Sequence, residues 1–220
     1  MPTTTAVLLI LVAIAAASPS AAEPLTISGL PVPLEWKGRP ASFRQDERGL
    51  TIVSGGRTDW FVSPVDGQAS ASAPLLLFEP GADFVLSARV KVDFRSKWDA
   101  GALFAYVDDT TWVKFALEQS AYMEPTIVSV VTRGVSDDCN SSVIAGDTAY
   151  LQLARSGSAL LLYRSADGRA WKLVRTFSLG TTKPLRVGFE VQSPVGEGGE
   201  AQFSEIRYER RKIEDIFAGR

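Results

Sequence analysis

The chain has 220 residues, 45% of them hydrophobic and 22% charged, which supplies enough apolar side chain for the core of one globular domain. Lys+Arg 23 against Asp+Glu 25 leaves a formal net charge of −2, without the basic excess of a nucleic-acid-binding domain. Histidine is absent, which excludes Ser-His-Asp and Cys-His nucleophile systems and histidine-ligated zinc, and leaves carboxylate chemistry or an all-oxygen metal site.

Taken in chain order, the first feature is an apolar run from Ala6 to Ala17, too short to cross a bilayer as a helix, followed by small residues at Ser18, Ser20, Ala21 and Ala22. This predicts a signal peptide over 1–22 cleaved after Ala22, with cleavage after Ala17 as the alternative, and a secreted or periplasmic chain. Met1 to Thr5 carries no Lys or Arg, so an uncleaved membrane anchor is the competing reading. No Cys follows the run, and a lipoprotein attachment site is not expected.

Beyond Leu25 the governing signal is period-two alternation. Phe84, Leu86, Ala88, Val90 and Val92 alternate with Val85, Ser87, Arg89, Lys91 and Asp93, the pattern of a half-buried strand. Further strands are predicted at Gly101 to Val107, Thr111 to Glu118, Pro125 to Arg133, Tyr150 to Arg155, Ala159 to Arg164, Trp171 to Phe177, Leu185 to Gln192 and Ala201 to Tyr208. Turn residues separate them at Asp108-Asp109, Ser156-Gly157, Asp167-Gly168 and Gly196 to Gly199. Many short strands with no helical pattern between them indicate an all-β sandwich or closed barrel spanning 23–209.

The single cysteine, Cys139, rules out an intramolecular disulfide; a buried inert thiol is the simplest expectation, an exposed thiol or an intermolecular bridge the alternatives. After Arg210 the spacing of Ile213, Ile216 and Phe217 fits a short C-terminal helix docked on the sandwich, or else a tail over 210–220.

The blocks "RTDWFVSP" from Arg57, "DAGALFAYVDDTTWVKFALE" from Asp99, "TIVSVVTRGVSDD" from Thr126, "ARSGSALLLYRSADGRAWKLVR" from Ala154 and "VGFEVQSPVGEGGEAQFSEI" from Val187 resemble, in this order, the domain-of-unknown-function family 1349. Its members are often described as regulation-of-enolase-like and placed in the concanavalin A-like lectin/glucanase superfamily. The resemblance covers nearly all of the chain from Leu25 to Tyr208. It implies an antiparallel jelly-roll β-sandwich with one convex and one concave sheet, and it implies little about activity, because fold does not fix function. Where family blocks often run "SDFW" or "TDFW" this chain has Asp59-Trp60-Phe61, and where they run "SDWS" it has Ser136-Asp137-Asp138-Cys139.

Alternation also selects candidate site residues. If Val113, Phe115 and Leu117 face the core, Trp112, Lys114, Ala116 and Glu118 share the opposite face; likewise Leu185, Val187, Phe189 and Val191 send Arg186, Gly188, Glu190 and Gln192 outward. Between Thr126 and Arg133 either Ser129 and Arg133 or Thr126 and Thr132 face outward. Trp112, Lys114, Glu118, Glu190 and Gln192 form the candidate ligand-binding set, an aromatic ring for a pyranose with polar groups for its hydroxyls. The five tryptophans Trp36, Trp60, Trp98, Trp112 and Trp171 each suit core packing as well as sugar stacking.

A pair of carboxylates about 5–9 Å apart would suit glycoside hydrolysis. The acidic stretch Ser136 to Ser142 reads as a loop with oxygen ligands for calcium or as a plain turn; it lacks the Asp-x-Asp-x-Asp-Gly order, and no metal site is assigned. Asn140-Ser141-Ser142 is a formal N-glycosylation sequon. No nucleotide fingerprint is present, Gly196 to Gly199 reading as a loop, and no cofactor is expected. The preferred function is a non-catalytic carbohydrate-binding domain with a glycan or polysaccharide partner. The alternatives are a glycoside hydrolase or lyase using Glu118 with another acid, and a structural or regulatory protein-interaction domain.

Overall fold

The structure, a computed structural model, describes residues 24–220, so the predicted signal peptide lies outside the described residues. Strands appear in the order β1 (Glu35–Lys37), β2 (Ser42–Asp46), β3 (Gly49–Val53), β4 (Trp60–Val62), β5 (Ala69–Ala71), β6 (Leu75–Phe78), β7 (Phe84–Asp93) and β8 (Ala100–Asp108). They continue with β9 (Thr111–Gln119), β10 (Pro125–Arg133), β11 (Val135–Val143), β12 (Thr148–Ser156), β13 (Ala159–Ser165), β14 (Lys172–Phe177), β15 (Arg186–Gln192) and β16 (Glu200–Glu209).

Two seven-stranded antiparallel sheets pack face to face as a jelly-roll sandwich of the concanavalin A-like kind. The first runs β1-β6-β15-β8-β9-β10-β11 and the second β14-β13-β12-β7-β16-β3-β2, while β4 and β5 form a separate hairpin. The core lies between the sheets. Val113, Phe115 and Leu117 of β9 and Val187, Phe189 and Val191 of β15 meet Leu86 and Val90 of β7, Leu151 and Leu153 of β12 and Phe203 of β16. Phe189 and Phe203 bridge the two layers with ring centroids 4.9 Å apart. Each large side chain buried this way stabilises the fold by roughly 1.5–3 kcal/mol.

Strands β7 to β10 and β12 to β16 follow the alternation in the sequence, and the inward sets on β9 and β15 are the expected ones. On β10, Ile127 and Val131 enter the main core, which places Thr126 and Thr132 on the outer face and settles the register left open by the pattern.

One expectation requires correction, and alternatives left open at Cys139 and at the C-terminus are decided. The stretch Ser136 to Ser142, read as a loop, belongs to β11, paired with β10 from Val135 to Thr126's partner Val143. Its polar sequence hides a strand because it is a sheet edge, where pairing with β10 supplies the order and side chains remain wet. Cys139 in its centre is therefore an exposed free thiol, not a buried one. Residues 210–220 form a turn-rich tail, not a helix: Ile213 is buried, whereas Ile216 and Phe217 stay exposed, Phe217 at 81%. Asp215 organises the turn by accepting from the Phe217 and Ala218 amides, which competes with helical bonding.

Candidate functional site

The outer face of the first sheet is not an open surface along its whole length. At one end β8 presents Phe104 and Tyr106 and β9 presents Trp112, and the β4-β5 hairpin lowers Trp60 onto them. Trp60 meets Trp112 edge-on at 5.8 Å and Phe104 at 5.6 Å, while Phe104 and Trp112 stack at 5.5 Å. The Trp60 indole N–H donates to the Ala73 carbonyl at 2.8 Å, and the Val62 amide donates to Ser136 Oγ at 2.9 Å, which pins the hairpin to β11. Trp112 thus points outward as its register requires, yet it is 1% exposed inside a second small core. That removes it from the candidate binding set.

Toward the other end the outward positions become small. Ala100 and Ala102 of β8 and Ala116 of β9 form a low, fully buried floor. Gln192 and Glu118 flank Ala100 across three strands, and Glu190 and Ala116 flank Ala102. Neighbouring strands lie about 4.8 Å apart, so the long side chains of β15 and β9 converge over the alanines. A cavity of about 370 Å³ stands above them, lined by Lys114, Glu118 and Gln192 together with Asp59, Asp138, Trp98, Phe61, Val130 and Pro194.

Asp59 reaches this cavity because its loop is tied to the end of β15. The Thr58 amide donates to the Ser193 carbonyl at 3.2 Å and the Arg57 amide to the Gly196 carbonyl at 3.3 Å. The backbones approach so closely that a Cβ on Gly56 would lie 2.7 Å from the Gly196 oxygen, which is why position 56 takes glycine.

Lys114, buried, donates through Nζ to Asp59 Oδ1 at 2.9 Å and to Gln192 Oε1 at 2.7 Å. Gln192 Nε2 in turn donates to the Trp98 carbonyl at 3.0 Å and lies 3.5 Å from Glu118 Oε2. Burial works to lower the Lys114 pKa, but the carboxyls of Asp59, Glu190 and Glu118 outweigh it and hold the ammonium charged. Burial pushes Glu118 up to about 8 against the pull of Lys114, with Asp138 and Asp59 adding to the rise. Glu190 is also pushed up to about 8, by burial first and then by Asp59 and Glu118, again against Lys114. Neither Glu190 oxygen has a hydrogen-bond partner among the described residues, and its side chain is enclosed beneath the cavity without lining it. Asp138, across from Val130 on β11, is raised by desolvation, more than Lys114 lowers it.

Of the five candidates, the structure therefore brings Lys114, Glu118 and Gln192 to the cavity, leaves Glu190 below it and puts Trp112 elsewhere. It adds Asp59, Asp138 and above all Trp98. Trp98 is 39% exposed, sits in a turn at φ 65°, and its amide donates to the Gln119 carbonyl. An aromatic residue among Ser96, Lys97 and Asp99, outside any alternating run, is the sequence signal for such an exposed ring.

The chain is similar to Regulation of enolase protein 1 of Saccharomyces cerevisiae, 27% identical over 172 residues that make up 77% of this chain and 86% of that protein. A crystal structure of a functionally unknown protein from Saccharomyces cerevisiae superposes with a TM-score of 0.75 at 26% identity, covering 82% of this chain and 97% of the other. The carbohydrate-binding module CBM66 from Bacillus subtilis shares the fold with a TM-score of 0.51 at 14% identity, over 83% of this chain and 96% of that one. The GH43 protein BlXynB from Bacillus licheniformis does so at 0.63 and 15% identity, over 80% of this chain but 37% of its own. The sequence profile described as Protein of unknown function (DUF1349) matches residues 36–211, and the chain belongs to that family.

Proposed function

We propose that the chain is an exported, non-catalytic carbohydrate-recognition domain that takes a sugar unit into the cavity beside Trp98, without a cofactor. The observation that carries this reading is the convergence of an exposed tryptophan with Lys114, Glu118, Gln192 and two aspartates on one cavity of about 370 Å³, the size and mixed lining of a small-ligand site. The tryptophan offers a face for a pyranose and the polar wall offers hydroxyl partners. The same sandwich serves as a carbohydrate-binding module in the Bacillus subtilis structure, which supports the reading at the level of fold. A glycan array probed with the purified protein and with Trp98→Ala tests it: binding by the first that is lost in the second is expected, and an array without any specific glycan would overturn it.

Export rests on the apolar run Ala6 to Ala17 and the small residues after it. N-terminal sequencing of protein made in an exporting host is expected to start at Glu23; Met1 retained in the membrane fraction would overturn export. A second reading, cleavage of a glycosidic bond, has Glu118 in its favour, because a carboxyl pushed up to about 8 keeps its proton at neutral pH as a general acid must. Reducing ends released from polysaccharide by the wild type and not by Glu118→Gln would replace recognition with catalysis.

A further inference from the structure

The cavity carries more hydrogen-bond acceptors than the surrounding protein answers. Three carboxyl groups reach it from three separate elements: Asp59 from the segment before β4, Glu118 from β9 and Asp138 from β11. Lys114, the single cation of the lining among the described residues, already donates to Asp59 Oδ1 and Gln192 Oε1. Gln192, with its oxygen occupied, turns its amide N–H groups to the Trp98 carbonyl at 3.0 Å and to Glu118 Oε2 at 3.5 Å, the second at the outer limit of a hydrogen bond. Glu118 is only 7% exposed, and its other oxygen has no hydrogen-bond partner among the described residues. Glu190 lies fully buried beneath, with both oxygens unpartnered.

A desolvated carboxyl whose donors and counter-charge fall short of its burial is unfavourable, and Lys114 only partly offsets the burial of Glu118 and Asp138, so a ligand that brings both relieves the site. A neutral sugar brings hydroxyl donors and no charge. An anionic sugar adds to three carboxyls already present. A protonated amine answers both deficits, and the exposed face of Trp98 attracts a cation as well as a sugar ring.

We infer that the cavity selects a glycan bearing free amino groups, a glucosamine-type unit of a deacetylated amino-sugar polymer, with its ammonium taken by Glu118 and Asp138 and its ring set against Trp98. This rests on the carbohydrate reading above and narrows it to cationic sugars. A bound ammonium favours the ionised forms of Glu118 and Asp138, so binding releases protons. The charged groups that act on them among the described residues are Asp59 and Lys114 at the cavity wall, Glu190 below, and Asp137, itself paired with Arg175, beside Asp138.

Isothermal titration of the protein purified from an exporting host, at pH 7 with tetramers of glucosamine, glucose and galacturonate, tests this. The glucosamine tetramer is expected to bind at least about tenfold more tightly than the glucose tetramer, a difference of about 1.4 kcal/mol. Its heat should depend on the ionisation enthalpy of the buffer, the signature of proton release. Glu118→Gln and Asp138→Asn should each remove most of the preference; should Glu118→Gln not fold, Asp138→Asn, on the exposed edge strand, makes the same test. Equal affinity for glucose and glucosamine tetramers, or preference for galacturonate, overturns amine selection and leaves carbohydrate recognition standing. Binding of none of the three overturns the inference, and the glycan array then decides the broader reading.

Discussion

Strands β8 and β9 build two opposite surfaces on one face of one sheet. At one end their outward side chains are Phe104, Tyr106 and Trp112, which bring down the β4-β5 hairpin and form a second core; at the other they are Ala100, Ala102 and Ala116, over which Lys114, Glu118 and Gln192 meet at a cavity. Alternation decides which side chains point outward, but side-chain volume decides whether outward means covered or open.

The largest effect should come from the covered end. Trp112→Ala removes a fully buried ring packed on Trp60 and Phe104 and is expected to cost roughly 3–5 kcal/mol, as much as Phe115→Ala between the sheets. Urea unfolding of both variants checks it. A cost for Trp112→Ala within about 0.5 kcal/mol, the range of an exposed substitution, would mean that the hairpin does not close over this end and that the two ends do not differ as described.

What the sequence made legible follows the same division. The registers of β9 and β15 could be read because each alternates over most of its length, so Lys114, Glu118 and Gln192 were found on one face by counting alone. The hairpin that buries Trp112 was not legible, because β4 and β5 are three residues each, too short for any period to emerge. Asp59 and Trp98 escaped because loops, not strands, deliver them: a tie between Thr58 and Ser193 for the first and a left-handed turn for the second. The edge strand β11, which carries Asp138, has valine only at its two ends and polar residues or Cys139 between them, without the run of β-branched and aromatic residues by which strands are recognised.

The open end should show itself in the dependence of stability on pH. Glu118 and Glu190 are pushed up to about 8 by burial, whereas in the unfolded chain they titrate near the ordinary glutamate value. Below that value both states are protonated and the site carries no ionisation penalty. As pH rises toward 8 the unfolded chain ionises first, so it binds fewer protons than the native state and stability falls. Between pH 5 and pH 8 a loss of at least about 2 kcal/mol is expected, reduced by the double substitution Glu118→Gln and Glu190→Gln. This window lies above the range in which Asp167, pulled down to about 2 by the Ala170 and Arg169 amides and Ser165, makes its own opposite contribution. Equal slopes for wild type and double variant would show that solvent reaches the two glutamates and that the alanine floor does not enclose them.

A change far from this face gives a scale for purely local strain. Gly168, in the β13-β14 hairpin, has φ 70°, and a Cβ there would lie 2.8 Å from the Tyr150 ring. Gly168→Val is expected to destabilise by at least about 1 kcal/mol, through a left-handed backbone that β-branched residues resist and through displacement of Tyr150. An unchanged melting temperature would show that the turn accommodates the side chain, and strain arguments elsewhere in the molecule would have to be scaled down with it.

The smallest effect concerns the residue that separates the open end from the covered one in function. Trp98 holds φ 65°, a conformation that costs a non-glycine residue about 1 kcal/mol, and leaves its ring 39% exposed at the cavity. The turn itself is fixed through the backbone of residue 98, its amide donating to the Gln119 carbonyl and its carbonyl accepting from the Gln192 side chain, which any residue at this position can do. Trp98→Gly should therefore be more stable than Trp98→Ala by about 1 kcal/mol, since both lose the ring and only glycine is free of the strain. Both variants should lose glycan binding. If alanine and glycine give the same urea midpoint, the turn is unstrained and tryptophan stands there at no cost. If glycine is the more stable and both fail to bind, the protein keeps an unfavourable backbone at the cavity mouth in exchange for an aromatic face.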